Sequence, residues 1–106
     1  MVRRGEVWLV ALDPTVGSEI QKSRPCLIVS PPELHDHLRT VIAAPMTTKS
    51  TPAGFRVPVH FMGKDGLILL DQIRTLDKRR LVKRLGVIAN PVLSVALETL
   101  GAIFYP

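Results

Sequence analysis

The apolar runs of this chain are short, and a Pro- or Gly-bearing segment stops nearly every one. Glu6–Leu12, Cys26–Ser30, Thr40–Met46, Phe55–Phe61, Leu67–Leu76 and Arg84–Ala89 are rich in β-branched and aromatic residues, which suit strands. Asp13-Pro14, Pro31-Pro32, Thr47–Gly54 and Gly63-Lys64-Asp65-Gly66 lie between them and carry turn chemistry. Only the last stretch has helical spacing: Val92, Val95, Ala96, Leu100 and Ile103 recur on one face, and Leu93 and Leu97 widen the stripe. Asn90 is the expected cap of that helix, with Pro91 at its first position. Six or seven short strands and one C-terminal helix predict a mainly β fold, a small and partly open barrel closed by the helix.

Within that outline, Pro32–Leu38 reads as a short helical turn. Phe55–Phe61 alternates, placing Phe55, Val57, Val59 and Phe61 on one face, and Pro58 argues for a sheet edge. Leu67–Leu76 is one long strand or two with a kink at Asp71-Gln72, and Asp77–Val82 is a basic turn. The 106 residues, 46% of them hydrophobic, predict one domain over 1–106 with a single modest core. The two arginines and apolar segment at the N-terminus faintly resemble an export signal. Glu6 and Asp13 interrupt that segment and no small-residue cleavage site follows, so a cytoplasmic protein is expected. No run approaches the length of a membrane span. The lone Cys26 lies inside an apolar run and reads as a reduced, buried thiol rather than a nucleophile.

Asp13–Ser30 is the stretch where a site is expected. Its first part is a polar loop with Gly17, Ser18 and Glu19, and its last part is an apolar strand. Arg24 stands between them, held extended by Pro25 at the mouth of the strand. A carboxylate and an arginine delivered onto a rigid strand make a usual binding-site arrangement. Fourteen Lys and Arg against nine Asp and Glu, for a formal charge of +5, favour a polyanionic partner.

Taken together, R-R-G-E-V-W-L-V-A-L-D-P-T-V-G-S-E, R-P-C-L-I-V-S, A-P-M-T-T and L-L-D-Q-I-R-T-L-D resemble the MazF/PemK toxin family, the RNA-cleaving toxins of bacterial toxin–antitoxin pairs. The match spans almost the whole chain in order. The resemblance implies an SH3-like barrel, a homodimer, a cognate acidic antitoxin and sequence-specific cleavage of single-stranded RNA without a metal or other cofactor. It puts the catalytic arginine at Arg24 and the catalytic threonine at Thr47, with Glu19 as the acidic residue of the substrate groove. Gln72 and Arg74 fall beside that site, and Ser18, Thr48 and Lys49 join them as RNA-binding residues. Two positions depart from the pattern. Ile20 stands where a glutamine is common, and Cys26 where valine or alanine is usual.

The residue types suit such chemistry. RNA carries its own nucleophile, the 2′-OH, so the protein must move protons and stabilise charge on the phosphate. An arginine fork serves the second task, a threonine hydroxyl can donate to the same phosphate, and Glu19 can act as base. Each also has a plain structural role open to it: an Arg24–Glu19 ion pair, a strand-end turn at Thr47, a solvated loop charge at Glu19. The three histidines, His35, His37 and His60, fall on no family site position and read as surface or loop residues. Lys78–Arg84 holds five cations in seven residues, either a solvated face or an edge for RNA or antitoxin. Trp8 reads as core. Two other functions fit such a fold: a gyrase poison like CcdB, whose Trp-Gly-Ile ending is absent here, and a non-catalytic RNA-binding barrel, for which five aromatic residues are few.

Overall fold

In the computed structural model, which describes residues 1–106, three antiparallel strands form the centre: β1 (Glu6–Ala11), β2 (Ser23–Ile28) and β3 (Thr40–Thr47). A short helix, α1 (Pro32–His35), links β2 to β3. Then follow the hairpin β4 (Arg56–Phe61) and β5 (Lys64–Leu69), a 3-10 turn at Leu70–Gln72, β6 (Arg74–Asp77), a second 3-10 turn at Lys78–Arg80, β7 (Leu81–Val87) and the C-terminal helix α2 (Asn90–Phe104). The strand order is β4-β5-β3-β2-β1-β7, and β6 also pairs with β3. The sheet is mainly antiparallel, strongly bent and not closed, an SH3-like partial barrel.

The central strands are buried on both faces because their apolar runs are continuous, and the period of two divides each run between two cores. Val7, Leu27, Ala44 and Met46 enter one core with Val57, Val59 and Ile68 of the hairpin, and α2 covers it. Val10, Cys26, Ile28, Val41 and Ala43 enter the other with Leu12 and Leu76. Trp8 is only partly buried against this second core, its indole N–H donating to Glu6 Oε1 at 3.1 Å. α2 packs through Val92, Leu93, Ala96, Leu97, Leu100 and Ile103. Val95 leaves the expected stripe and is 49% exposed, because the packed face centres on Leu93 and Leu97. Ala89 rather than Asn90 is the N-cap residue of α2, and no side chain caps it; Asn90 and Pro91 already belong to the first turn.

β3 organises the sheet. One edge pairs with β2, from Ile28↔Ala43 to Cys26↔Pro45. The other is shared between two strands, β6 against Thr40–Ala43 and β5 against Met46–Thr47. The anticipated kink at Asp71-Gln72 is the 3-10 turn that carries the chain from one half of β3 to the other. Pro45, with no N–H to leave unpaired, stands on β3 between the two halves.

Several boundaries differ from the sequence expectation. β2 begins at Ser23, so Arg24 and Pro25 lie within the strand, paired with Val10 and Leu9. The β4–β5 hairpin turns at Met62 and Gly63, both at positive φ as a two-residue primed turn requires, and Lys64 already pairs with Phe61. Phe55 precedes β4 and is 45% exposed instead of facing inward. β4 pairs only with β5, so Pro58 does sit on an edge strand. β7 starts at Leu81, three residues earlier than expected.

His35 is the clearest correction: it is fully buried, not a surface residue. α1 lays its ring between the N-terminal segment and the start of β3. Nε2 donates to the Val2 carbonyl at 2.9 Å, Nδ1 accepts from the Ser30 hydroxyl at 2.8 Å, and Ser30 Oγ accepts the Ile42 N–H at 3.1 Å. Each polar atom of the ring is thereby partnered. His60 and His37 are exposed, the former 2.7 Å from Asp65.

Candidate active site

β2 and β3 stop pairing at Cys26↔Pro45, yet both strands continue for two or three residues beyond that rung. Arg24 shares a face with Cys26, and Thr47 shares a face with Pro45, by strand alternation. Where the strands part, a groove opens. Its middle is lined by Ser18, Glu19, Arg24, Thr47, Lys49 and Gln72. A segment of about 650 Å³ toward β6 adds Ile20, Pro45, Arg56, Asp71 and Arg74. The other end, toward the β4–β5 hairpin, adds Thr48, Met46, Phe61 and Leu67. All eight residues singled out in the sequence thus border one continuous groove, and Ile20 borders it too.

Arg24 is half-buried, and its Nε donates to the Gln21 carbonyl at 3.1 Å. Its two terminal nitrogens have no hydrogen-bond or ion-pair partner in the chain, so the Arg24–Glu19 pair does not form. Glu19 instead accepts the Val16 N–H at 2.8 Å through Oε1, closing its own loop and leaving Oε2 open. The loop is braced further at its base, where Asp13 Oδ1 accepts the Lys22 N–H and the Leu12 N–H reaches the Lys22 carbonyl. Gln72 holds the loop from the side, its Oε1 accepting the Ile20 N–H at 2.9 Å. Thr47 ends β3, where its Oγ1 accepts the Lys49 N–H at 3.2 Å. A hydroxyl that accepts in this way keeps its own proton available for a ligand. Gly66 allows the close approach that sets Thr47: a Cβ on Gly66 would lie 2.6 Å from the Thr47 carbonyl oxygen.

Arg74 has a structural partner as well, donating to the Leu12 carbonyl at 3.2 Å. The basic turn is largely occupied inside the fold. Lys78 reaches the His35 carbonyl, Arg79 pairs with Asp77, Arg80 donates to the Ala11 and Asp13 carbonyls, and Arg84 pairs with Glu6. Only Lys83 of its five cations lacks such a partner. Burial pushes the Cys26 thiol up to about 12 against the pull of Arg74, which keeps it neutral.

Among the groove residues not singled out in the sequence are two opposite charges. Arg56 and Asp71 form a bidentate pair, Nε to Oδ1 at 3.1 Å and Nη2 to Oδ2 at 3.0 Å. The Arg56 hydrogen bonds hold the Asp71 carboxyl below its ordinary range, and Asp71 raises Arg56 in turn. Asp71 sits in the D-Q-I-R segment already noted, but nothing local in the sequence links it to a partner fifteen residues away.

A half-open antiparallel barrel with a C-terminal helix, and a groove of cations, hydroxyls and carboxylates where two strands part, place the chain among small SH3-like partial barrels. Comparison with known proteins narrows it. The family model described as "PemK-like, MazF-like toxin of type II toxin-antitoxin system" matches residues 3–104, and the chain belongs to that family. An Escherichia coli protein named endoribonuclease PemK is 38% identical over 108 residues, covering 96% of this chain and 81% of the relative. Among solved structures, MazF from Deinococcus radiodurans superposes with a TM-score of 0.85 at 27% identity, covering 96% and 94% of the two chains. An endoribonuclease from a Mycobacterial species, solved in complex with its cognate antitoxin, gives 0.76 at 25% identity over the full length of both chains.

Proposed function

We propose that this toxin-family chain is a metal-independent, sequence-specific endoribonuclease that cuts single-stranded RNA in the groove between β2 and β3. One observation carries the reading: Arg24 brings an unpaired guanidinium fork to the groove bordered by the Thr47 hydroxyl. The name of the E. coli relative supports the activity. In the reaction the substrate's 2′-oxygen forms a bond to the adjacent phosphorus and the P–O5′ bond breaks. The proton lost by the 2′-OH is balanced by one gained at the leaving 5′-oxygen. Arg24 and Thr47 bind the non-bridging oxygens as charge grows on them, so the guanidinium supplies the positive charge that a metal supplies elsewhere. Glu19 takes the 2′-OH proton through Oε2, the oxygen that its loop leaves unbonded. Gln72, Arg74, Ser18, Thr48 and Lys49 contact the flanking nucleotides.

The products are then a 2′,3′-cyclic phosphate and a free 5′-OH. Incubation of labelled RNA with excess EDTA, followed by end-group analysis, tests this directly. Cleavage is expected to persist in EDTA and to stop when the cut nucleotide is 2′-deoxy. Loss in EDTA, or cutting of the deoxy substrate, overturns the mechanism.

As a toxin of this family it acts in the cytoplasm and is neutralised by an acidic antitoxin segment laid over the same groove. The antitoxin complex of the Mycobacterial neighbour and the groove cations Arg24, Lys49 and Arg74 support that reading. The chain works as a homodimer: Val95, Phe104 and Tyr105 leave apolar surface exposed at and beside α2, more than a solvated helix needs. Sedimentation at micromolar concentration is expected to show two copies.

A further inference from the structure

One guanidinium ties together the segments that wall the groove. Of the five N–H donors on Arg56, two go to the Asp71 carboxylate, and Nη1 donates to Ser50 Oγ at 2.5 Å and to the Thr51 carbonyl at 3.0 Å. Asp71 belongs to the 3-10 turn at Leu70–Gln72, and its neighbour Gln72 holds the Glu19 loop through the Ile20 N–H. Ser50 and Thr51 lie in the loop after Thr47, close to Lys49, whose N–H is bound by the Thr47 hydroxyl.

We infer that Arg56 is a positioning residue of this site, fixing the Thr47 hydroxyl and the Glu19 loop relative to Arg24. The inference rests on the endoribonuclease reading above. Four of the five donors are taken, so Arg56 has little left to offer a phosphate. The pair is partly solvated, with side-chain exposures of 21% and 36%, and such pairs add little to global stability. The effect of Arg56 is therefore local. An ammonium cannot replace it, because no single point charge spans both Asp71 oxygens and the Ser50–Thr51 loop.

Arg56→Ala is expected to lower single-turnover cleavage about ten- to a hundredfold, as small misplacements of reacting groups do, with KM changed far less than kcat. Arg56→Lys gives no rescue. Ser50→Ala, which removes one bond of the clamp without touching a strand, lowers the rate by a smaller factor. In a Thr47→Val background the Arg56→Ala factor shrinks to the part exerted through the Glu19 loop. If Arg56 contacts RNA itself, the same factor appears in both backgrounds and KM rises instead, which overturns the inference. A second readout needs no RNA: amide exchange at Lys49 is expected to accelerate in Arg56→Ala. Unchanged exchange at Lys49 overturns the clamp. A parent protein that cuts no RNA but shows the accelerated exchange overturns the enzymatic reading alone.

Discussion

Arg24 on β2 and Thr47 on β3 each stand two residues beyond Cys26↔Pro45, the last pair between those strands. The strands have separated there, so the two side chains border an open groove instead of a packed interface. Pro25 and Pro45 lie on either side of that divergence. Prolines remove ladder donors, and a sheet can open beside them without orphaning an N–H.

Arg24→Ala is expected to reduce RNA cleavage about a hundred- to a thousandfold, the usual effect of deleting one preorganised charge donor. The melting temperature should stay close to the parent's, since the only internal bond lost is the one to the Gln21 carbonyl. A variant that melts far below the parent identifies Arg24 as structural.

Gly66→Ala tests the seating of Thr47. The added methyl would sit 2.6 Å from the Thr47 carbonyl oxygen, against backbone rather than a yielding side chain, so the end of β3 must shift. Cleavage should fall at least about tenfold while circular dichroism still reports a folded β protein. Full activity in Gly66→Ala is the result that removes Thr47 placement from the account.

His35→Ala should act on stability and spare the chemistry. The substitution leaves Ser30 Oγ and the Val2 carbonyl without their partner and opens a void beneath α1. Loss of buried hydrogen-bond partners alone costs about 1–3 kcal/mol, measurable as a lowered denaturant midpoint. Cleavage per folded molecule is expected to match the parent.

Stability should fall in acid through Glu6. Burial tends to raise Glu6, but bonds from the Arg3 N–H, the Trp8 indole and Arg84 outweigh it, and the net shift is downward. A carboxylate with a depressed native value adds stability above its unfolded-state pKa and loses it as pH falls through the native one. Glu6→Gln should therefore be less stable than the parent at pH 6, and the difference should narrow as pH drops to 3. A difference that stays constant across that range refutes the role given to Glu6.

Local pattern in the chain determined much of this protein. Breakers after each short β-branched run dictated a strand-rich fold, because a strand needs only a few residues of alternation whereas a helix needs several turns. The long stripe at Val92–Ile103 dictated the single packed helix. Turn chemistry beside an apolar strand singled out the Asp13–Ser30 stretch with Glu19 and Arg24, whereas Thr47, Gln72 and Arg74 were marked by the family resemblance that the ordered motifs carry. Tertiary structure decided what depends on distant partners. The register of β2 against β1 moved the strand start back to Ser23, and the packing of α1 buried His35. The packing of α2 through Leu93 and Leu97 left Val95 outward. The Arg56–Asp71 clamp joins the start of β4 to the 3-10 turn fifteen residues on, and most of the basic turn is engaged by carbonyls and carboxylates as remote as Ala11 and Glu6. Contacts of that kind are fixed by how the sheet bends around β3, and hydrophobic period and turn chemistry, which act over a few residues, carry no information about that bend.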